Sequence, residues 1–98
     1  MAYAFDAELW CWDARQGDSW IFVSLPADAS DEIADAVEGR ANGFGSVRVT
    51  AAIGTTSWQT SIFPDGTRKC YALPVKKAVR KAQSLEPGSL VRVTVELA

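Results

Sequence analysis

The side chains able to do chemistry fall into an aromatic, a basic and a polar set. The aromatic set is Trp10, Trp12, Trp20 and Phe22, spaced by two residues within each of two short segments. Extended backbone puts residues i and i+2 on one face, so each segment shows two rings on the same side. Rings on the solvent side of a sheet offer a subunit interface, a ligand groove or a platform on which bases stack. The basic set is Arg68, Lys69, Lys76, Lys77, Arg80 and Lys81, and no acid interrupts the stretch between Asp65 and Glu86. Such a patch can bind anions or neutralise nucleic-acid phosphates. The polar set is Arg48 with Thr50, Gln59 and Ser61, joined by Arg92 and Thr94. Its two arginines could grip an anion or carboxylate.

Catalysis finds little support. The chain has no histidine, which removes Ser-His and Cys-His pairs, imidazole metal ligands and the usual acid-base group near neutral pH. Ser61 has no identifiable base, and neither a glycine-rich phosphate loop nor a paired-carboxylate signature occurs. Cys11 and Cys70 lack CxxC spacing and read as small apolar residues of a reducing compartment. The expectation is a non-enzyme with no catalytic residue, no metal and no cofactor.

Size and composition frame the scaffold. Ninety-eight residues suffice for one domain, and 48% apolar with 22% charged residues suits a packed core. No stretch approaches a membrane span, and the N-terminus has no signal-like apolar run, so a cytoplasmic location without membrane contact is expected. Net charge is −2, but unevenly spread. Residues 1 to 49 hold nine acids against three bases and residues 50 to 98 three acids against seven bases, giving −6 and +4. That dipole concerns partners and orientation.

Periodicity places these sets. Residues 3 to 12 alternate as a strand with Phe5, Ala7, Leu9 and Cys11 inward and Asp6, Glu8, Trp10 and Trp12 outward. After the polar loop Asp13 to Asp18, a strand over about 19 to 25 turns Ile21, Val23 and Leu25 inward, setting Trp12 opposite Trp20 and Trp10 opposite Phe22. Ser30 to Glu38 reads as a helix capped by Ser30 or Asp28, with the stripe Ile33, Ala34 and Val37. The glycine-rich loop Gly39 to Gly45 leads to a strand with Val47, Val49, Ala51 and Ile53 inward. Gly54-Thr55 is a two-residue hairpin turn, and the returning strand 56 to 63 sets Trp58 opposite Ala51 and Ile62 opposite Val47. Pro64-Asp65-Gly66-Thr67 turns into a strand over 68 to 73. Pro74 then opens a second helix whose buried face is Val75, Ala78, Val79 and Ala82, and the last strand is Leu90 to Leu97.

The chain also repeats itself. A strand ending in Leu-Pro, a helix and a Gly-Ser turn into Val-Arg-Val-Thr occurs at Leu25-Pro26 to Thr50 and again at Leu73-Pro74 to Thr94. A unit that cannot cover its own apolar face closes against its copy. The fold class is mainly β: a small closed or split pseudo-twofold β-barrel of about six strands, order ββαβββαβ, with two short capping helices.

The run Leu73 to Ala82, with Leu85-Glu86-Pro87-Gly88-Ser89-Leu90-Val91, resembles the strand-Pro-helix-Gly-strand unit of the AbrB and MazE regulators, in which two chains swap hairpins into one DNA-binding double-split barrel. Here Ser89 stands where that family usually has an aspartate, and both units lie in one chain. A broader resemblance rests on Phe5 to Trp10, Trp20 to Pro26, Gly43 to Val49, Trp58 to Pro64 and Leu73 to Ala82. These segments, in this order, look like the bacterial domain-of-unknown-function family nineteen-oh-five. That resemblance implies a small barrel, sometimes beside a YdeI/OmdA bacteriocin-protection domain, and brings no biochemical function.

The reading that follows is a binding or interaction module for an unidentified protein or small-molecule ligand, a monomer or weak homodimer. Its candidate ligand-binding residues are Trp10, Trp12, Trp20, Phe22, Arg48 and Ser61. The alternative is an AbrB-like nucleic-acid-binding regulator acting through Arg68, Lys69, Lys76, Lys77, Arg80 and Lys81, and the distant third an enzyme. An AbrB-like reader needs two equivalent basic faces, whereas the first helix presents Asp31, Asp35 and Glu38. A helix or the glycine-rich loop packed over the rings would make them purely structural.

Overall fold

The computed structural model describes residues 2–13, 19–37 and 45–98. The expected loops fall largely outside them: residues 14–18 of the first and 38–44 of the glycine-rich one are not among the described residues, and neither is Glu38.

The strands are β1 (Ala2–Glu8), β2 (Trp10–Asp13), β3 (Ser19–Ser24), β4 (Val47–Ile53), β5 (Thr56–Asp65), β6 (Cys70–Pro74) and β7 (Leu90–Leu97). Helix α1 (Ala27–Ala36) follows β3, and α2 (Lys77–Ala82) follows β6. All neighbours are antiparallel in one curled sheet of order β1-β7-β4-β5-β6-β3-β2. The protein is mainly β with two short helices. It has seven strands where about six were expected, because the first run divides at Leu9. There the chain leaves β7 and joins β3: Leu9 N–H donates to the Ser89 carbonyl at 2.9 Å, and Gly88 N–H donates back to the Leu9 carbonyl at 2.8 Å. β5 changes partner in the same way, pairing with β4 up to Ile62 and with β6 from Phe63.

Alternation decides what is inside. Val47, Val49, Ala51 and Ile53 of β4 are buried, as are Val93 and Val95 of β7 and Trp58 and Ile62 of β5. Ala51 pairs with Trp58 and Val47 with Ile62 across a turn in which Gly54 has φ +60°. Leu9, Ile21, Val23, Leu25 and Leu73 continue the same core. Cys11 departs from expectation: it keeps the inward parity but is exposed, since β2 ends the strand order and only β3 covers it.

Both helices differ from the sequence reading. α1 begins at Ala27, three residues before the expected start, because Pro26 supplies extended backbone at the N-cap position and Ser30 N–H already donates to the Pro26 carbonyl at 2.9 Å. Ser30 does not cap the helix, and Asp28 lies inside its first turn, not at the N-cap, where its Oδ1 accepts the Ala29 N–H at 2.9 Å; Ser30 is buried, and Ala34 of the expected stripe is exposed. α2 begins at Lys77, since Pro74 still belongs to β6 and Val75 N–H donates to the Ile21 carbonyl at 2.9 Å. A helix this short buries Val79 and leaves Ala78 and Ala82 exposed.

Candidate functional site

The aromatic set assembles on the outer face of β2 and β3. Cross-strand register sets Trp10 opposite Phe22 and Trp12 opposite Trp20. The Trp10 and Phe22 rings stack with centroids 5.1 Å apart and planes 29° apart; Phe22 and Trp20 continue the stack at 6.4 Å and 15°. Trp10 is tied to the sheet by its indole N–H, which donates to Ser24 Oγ at 3.0 Å. Trp12 and Trp20 are each 54% exposed.

Two neighbouring strands widen this face. The ladder runs Phe63–Ala72–Ser24 and Phe22–Pro74, which brings Phe63 and Pro74 beside the stack. Together the rings, Pro64, Pro74, Ala72 and Asp65 line an open cleft of about 370 Å³. Phe63, 44% exposed, belongs to this site although the sequence reading left it out. Its outward parity on β5 was legible; the pairing of β5 with β6 beyond Ile62 was not.

Arg68 also belongs here. Its guanidinium carbon lies 3.7 Å from the centroid of the Trp10 ring, and Nη1 donates to Asp65 Oδ2 at 3.1 Å. Asp65 Oδ1 accepts the N–H groups of Thr67 at 3.0 Å and Arg68 at 3.3 Å, which forms the turn. Burial alone would raise the Asp65 carboxyl. The Arg68 N–H, its guanidinium and the Thr67 N–H outweigh that and hold it below its ordinary value.

The basic set is divided. Arg68 lies at the edge of the aromatic cleft, over Trp10 and beside Asp65, whereas Lys69 lines a second hollow of about 260 Å³ with Ser30, Asp31, Cys70 and Tyr71. Lys76, Lys77 and Lys81 are exposed on and before α2, and Arg80 Nε donates to the Val75 carbonyl at 3.1 Å. The exposed cluster is therefore three lysines and a partly engaged arginine.

The polar row lies on another part of the outer surface, where Arg48 pairs with Ser61 and Thr50 with Gln59. Arg48 is exposed and Ser61 half-buried. Arg92 pairs with Asp6 at 3.3 Å instead of joining Arg48. Among the described residues, no helix is long and apolar enough to cross a membrane.

A family model described as "Domain of unknown function (DUF1905)" matches residues 5–95, nearly the whole chain. The chain belongs to the DUF1905 family. None of the curated proteins compared with it matches. The matched DUF1905 span takes in β1 from Phe5, β7 as far as Val95, all the strands between them, both helices and the whole aromatic cleft.

Proposed function

We propose that this DUF1905 domain is a non-catalytic binding module whose recognition surface is the aromatic cleft between β2, β3 and the end of β5. The observation that carries the reading is the pair Trp12 and Trp20, opposed on one face and each 54% exposed beside an open cleft. A contiguous exposed apolar patch on a soluble domain marks a surface awaiting a partner or ligand. Reading the molecule as a non-enzyme rests on the lack of histidine and of any nucleophile with a base.

The reading also rests on treating the fold as a pseudo-twofold barrel. Superposing the two Val-Arg-Val-Thr segments aligns Ala51 with Val95, and superposing the two Leu-Pro segments aligns Ser24 with Ala72. Ala51 pairs with Val95 and Ser24 with Ala72. A residue that pairs with its own counterpart sits on an axis, which supports the symmetry. Extended to the hairpins, the same alignment sets Asp65, Thr67, Arg68 and Cys70 against Trp10, Trp12, Trp20 and Phe22. One half thus builds its hairpin without rings at these four positions, so the aromatic side chains there are not a requirement of the architecture.

The test is an NMR screen of small uncharged aromatic fragments followed through the indole N–H signals. The expected result is a set of fragments that shift the Trp12 and Trp20 signals together and lose affinity in Trp12→Ala and Trp20→Ala. Fragments that scatter over the surface, or bind both variants unchanged, would count against the cleft.

A further inference from the structure

Arg68 is the one cation among the described residues seen over an aromatic ring, and its position is informative about the cleft it borders. Its guanidinium meets two complementary features at once, the face of Trp10 and the carboxylate of Asp65. Indole faces attract cations through the ring quadrupole, and a guanidinium adds charge-assisted hydrogen bonds to a carboxylate. The remaining lining is apolar: Trp12, Trp20, Phe22 and Phe63 with two prolines. With Arg68 set aside, the cleft carries a single formal charge, and it is negative.

One fact shows that Arg68 holds this place weakly: its side chain is 45% exposed. Exposed ion pairs contribute little, and the arginine stem gives up rotamer freedom to stay in place.

We infer that the cleft recognises an arginine side chain presented by a partner polypeptide, and that Arg68 is the internal occupant which that side chain displaces from Trp10 and Asp65. This inference rests on the binding-module reading and specifies its ligand. The aliphatic stem of the incoming arginine lies against Phe22 and Trp12, and its head takes the Trp10 face and the Asp65 carboxylate. Competition with Arg68 keeps the wild-type affinity low.

The experiment follows indole fluorescence while N-acetyl-arginine amide, or its uncharged isostere N-acetyl-citrulline amide, is titrated into the full chain. Removing the internal competitor with Arg68→Ala should tighten binding of the arginine probe about fivefold, the scale of an exposed cation-aromatic contact plus an exposed ion pair. The citrulline probe should gain nothing. Adding Asp65→Asn, which keeps the Oδ1 acceptor for the turn and removes the charge, should cancel the gain. Should Arg68→Ala fail to fold, Arg68→Gln serves the same comparison. Equal affinity of the arginine probe in wild type and variant, or an equal gain for citrulline, overturns the inference. If uncharged fragments still occupy the cleft in that event, the binding-module reading survives alone; if they do not, both fall.

Discussion

Ser30 Oγ accepts the backbone N–H of Tyr71 at 3.0 Å, a buried hydrogen bond between residues 41 apart that fixes α1 to β6. Ser30 is 5% exposed and Tyr71 8%, so water cannot replace the acceptor. Ser30→Ala leaves a buried N–H unpaired and should cost about 1 to 3 kcal/mol of unfolding free energy. Urea denaturation of the two proteins measures it; a loss within error of zero would mean that the helix shifts to let water in.

Tyr3 offers the opposite experiment. Its hydroxyl oxygen is buried without a hydrogen-bond partner among the described residues. Burial, with the charge of Glu32 second, raises its pKa above the ordinary 10.0, so it stays neutral in physiological buffers. Tyr3→Phe removes only the orphan oxygen and should stabilise the protein, read as a higher urea midpoint at unchanged slope. A lower midpoint would show that the hydroxyl has a partner in solution.

Gly54 is constrained twice. Its φ of +60° disfavours a side chain, and the Gln83 amide occupies the space a Cβ would take while donating to Thr56 Oγ1 at 2.8 Å. Gly54→Ala should destabilise by about 1 to 2 kcal/mol from the backbone alone, with a steric part added. Combining it with Gln83→Ala should recover the steric part and leave the backbone part. Full additivity of the two losses would show that Gln83 simply moves aside.

Within the cleft, the rings should separate by role. Trp10 has a stacked neighbour and a hydrogen bond to Ser24, so Trp10→Ala should cost about 2 kcal/mol. Trp12→Ala should stay within about 0.5 kcal/mol, as for other exposed positions. Chemical denaturation of both variants checks the ranking, and a large loss in Trp12→Ala would reassign that ring to the scaffold.

Asp65 predicts a pH dependence whose sign follows from its lowered pKa. The folded value lies below the ordinary 3.8, so the stabilisation is complete above 3.8 and is lost as pH falls through the lowered value. Asp65→Asn should therefore flatten the stability curve only on the acid side, below about pH 4. A difference in slope near neutrality would contradict the assignment.

The sequence made some of this legible and hid the rest for identifiable reasons. The β4–β5 hairpin could be read to the residue, because Gly54-Thr55 fixes the turn and strict alternation allows one register for Trp58 and Ile62. The facing of Trp12 and Trp20 followed from the same rule. Proline misled at Pro74, which ends β6 instead of opening α2, a position where fixed φ suits extended backbone as well as a first helical turn. Ser30 looked like a cap because serine so often caps, yet its hydroxyl serves the sheet. Arg68 was grouped with the lysines of α2 by proximity in sequence; only the turn geometry around Asp65 sends it to Trp10. Phe63 joined the cleft through a change of strand partner that local patterning cannot encode.

The division of the first run at Leu9 bears on how the protein reaches this state during synthesis. β1 pairs along its whole length with β7, Ala2 opposite Glu96 and Glu8 opposite Leu90. β1 is made well before its neighbour β7, so a ribosome-bound nascent chain holds β1 without its ladder until residues beyond 90 emerge. Pairings of such long sequence separation slow assembly. Arrested nascent chains should accordingly remain protease-sensitive around Phe5 until β7 has left the tunnel.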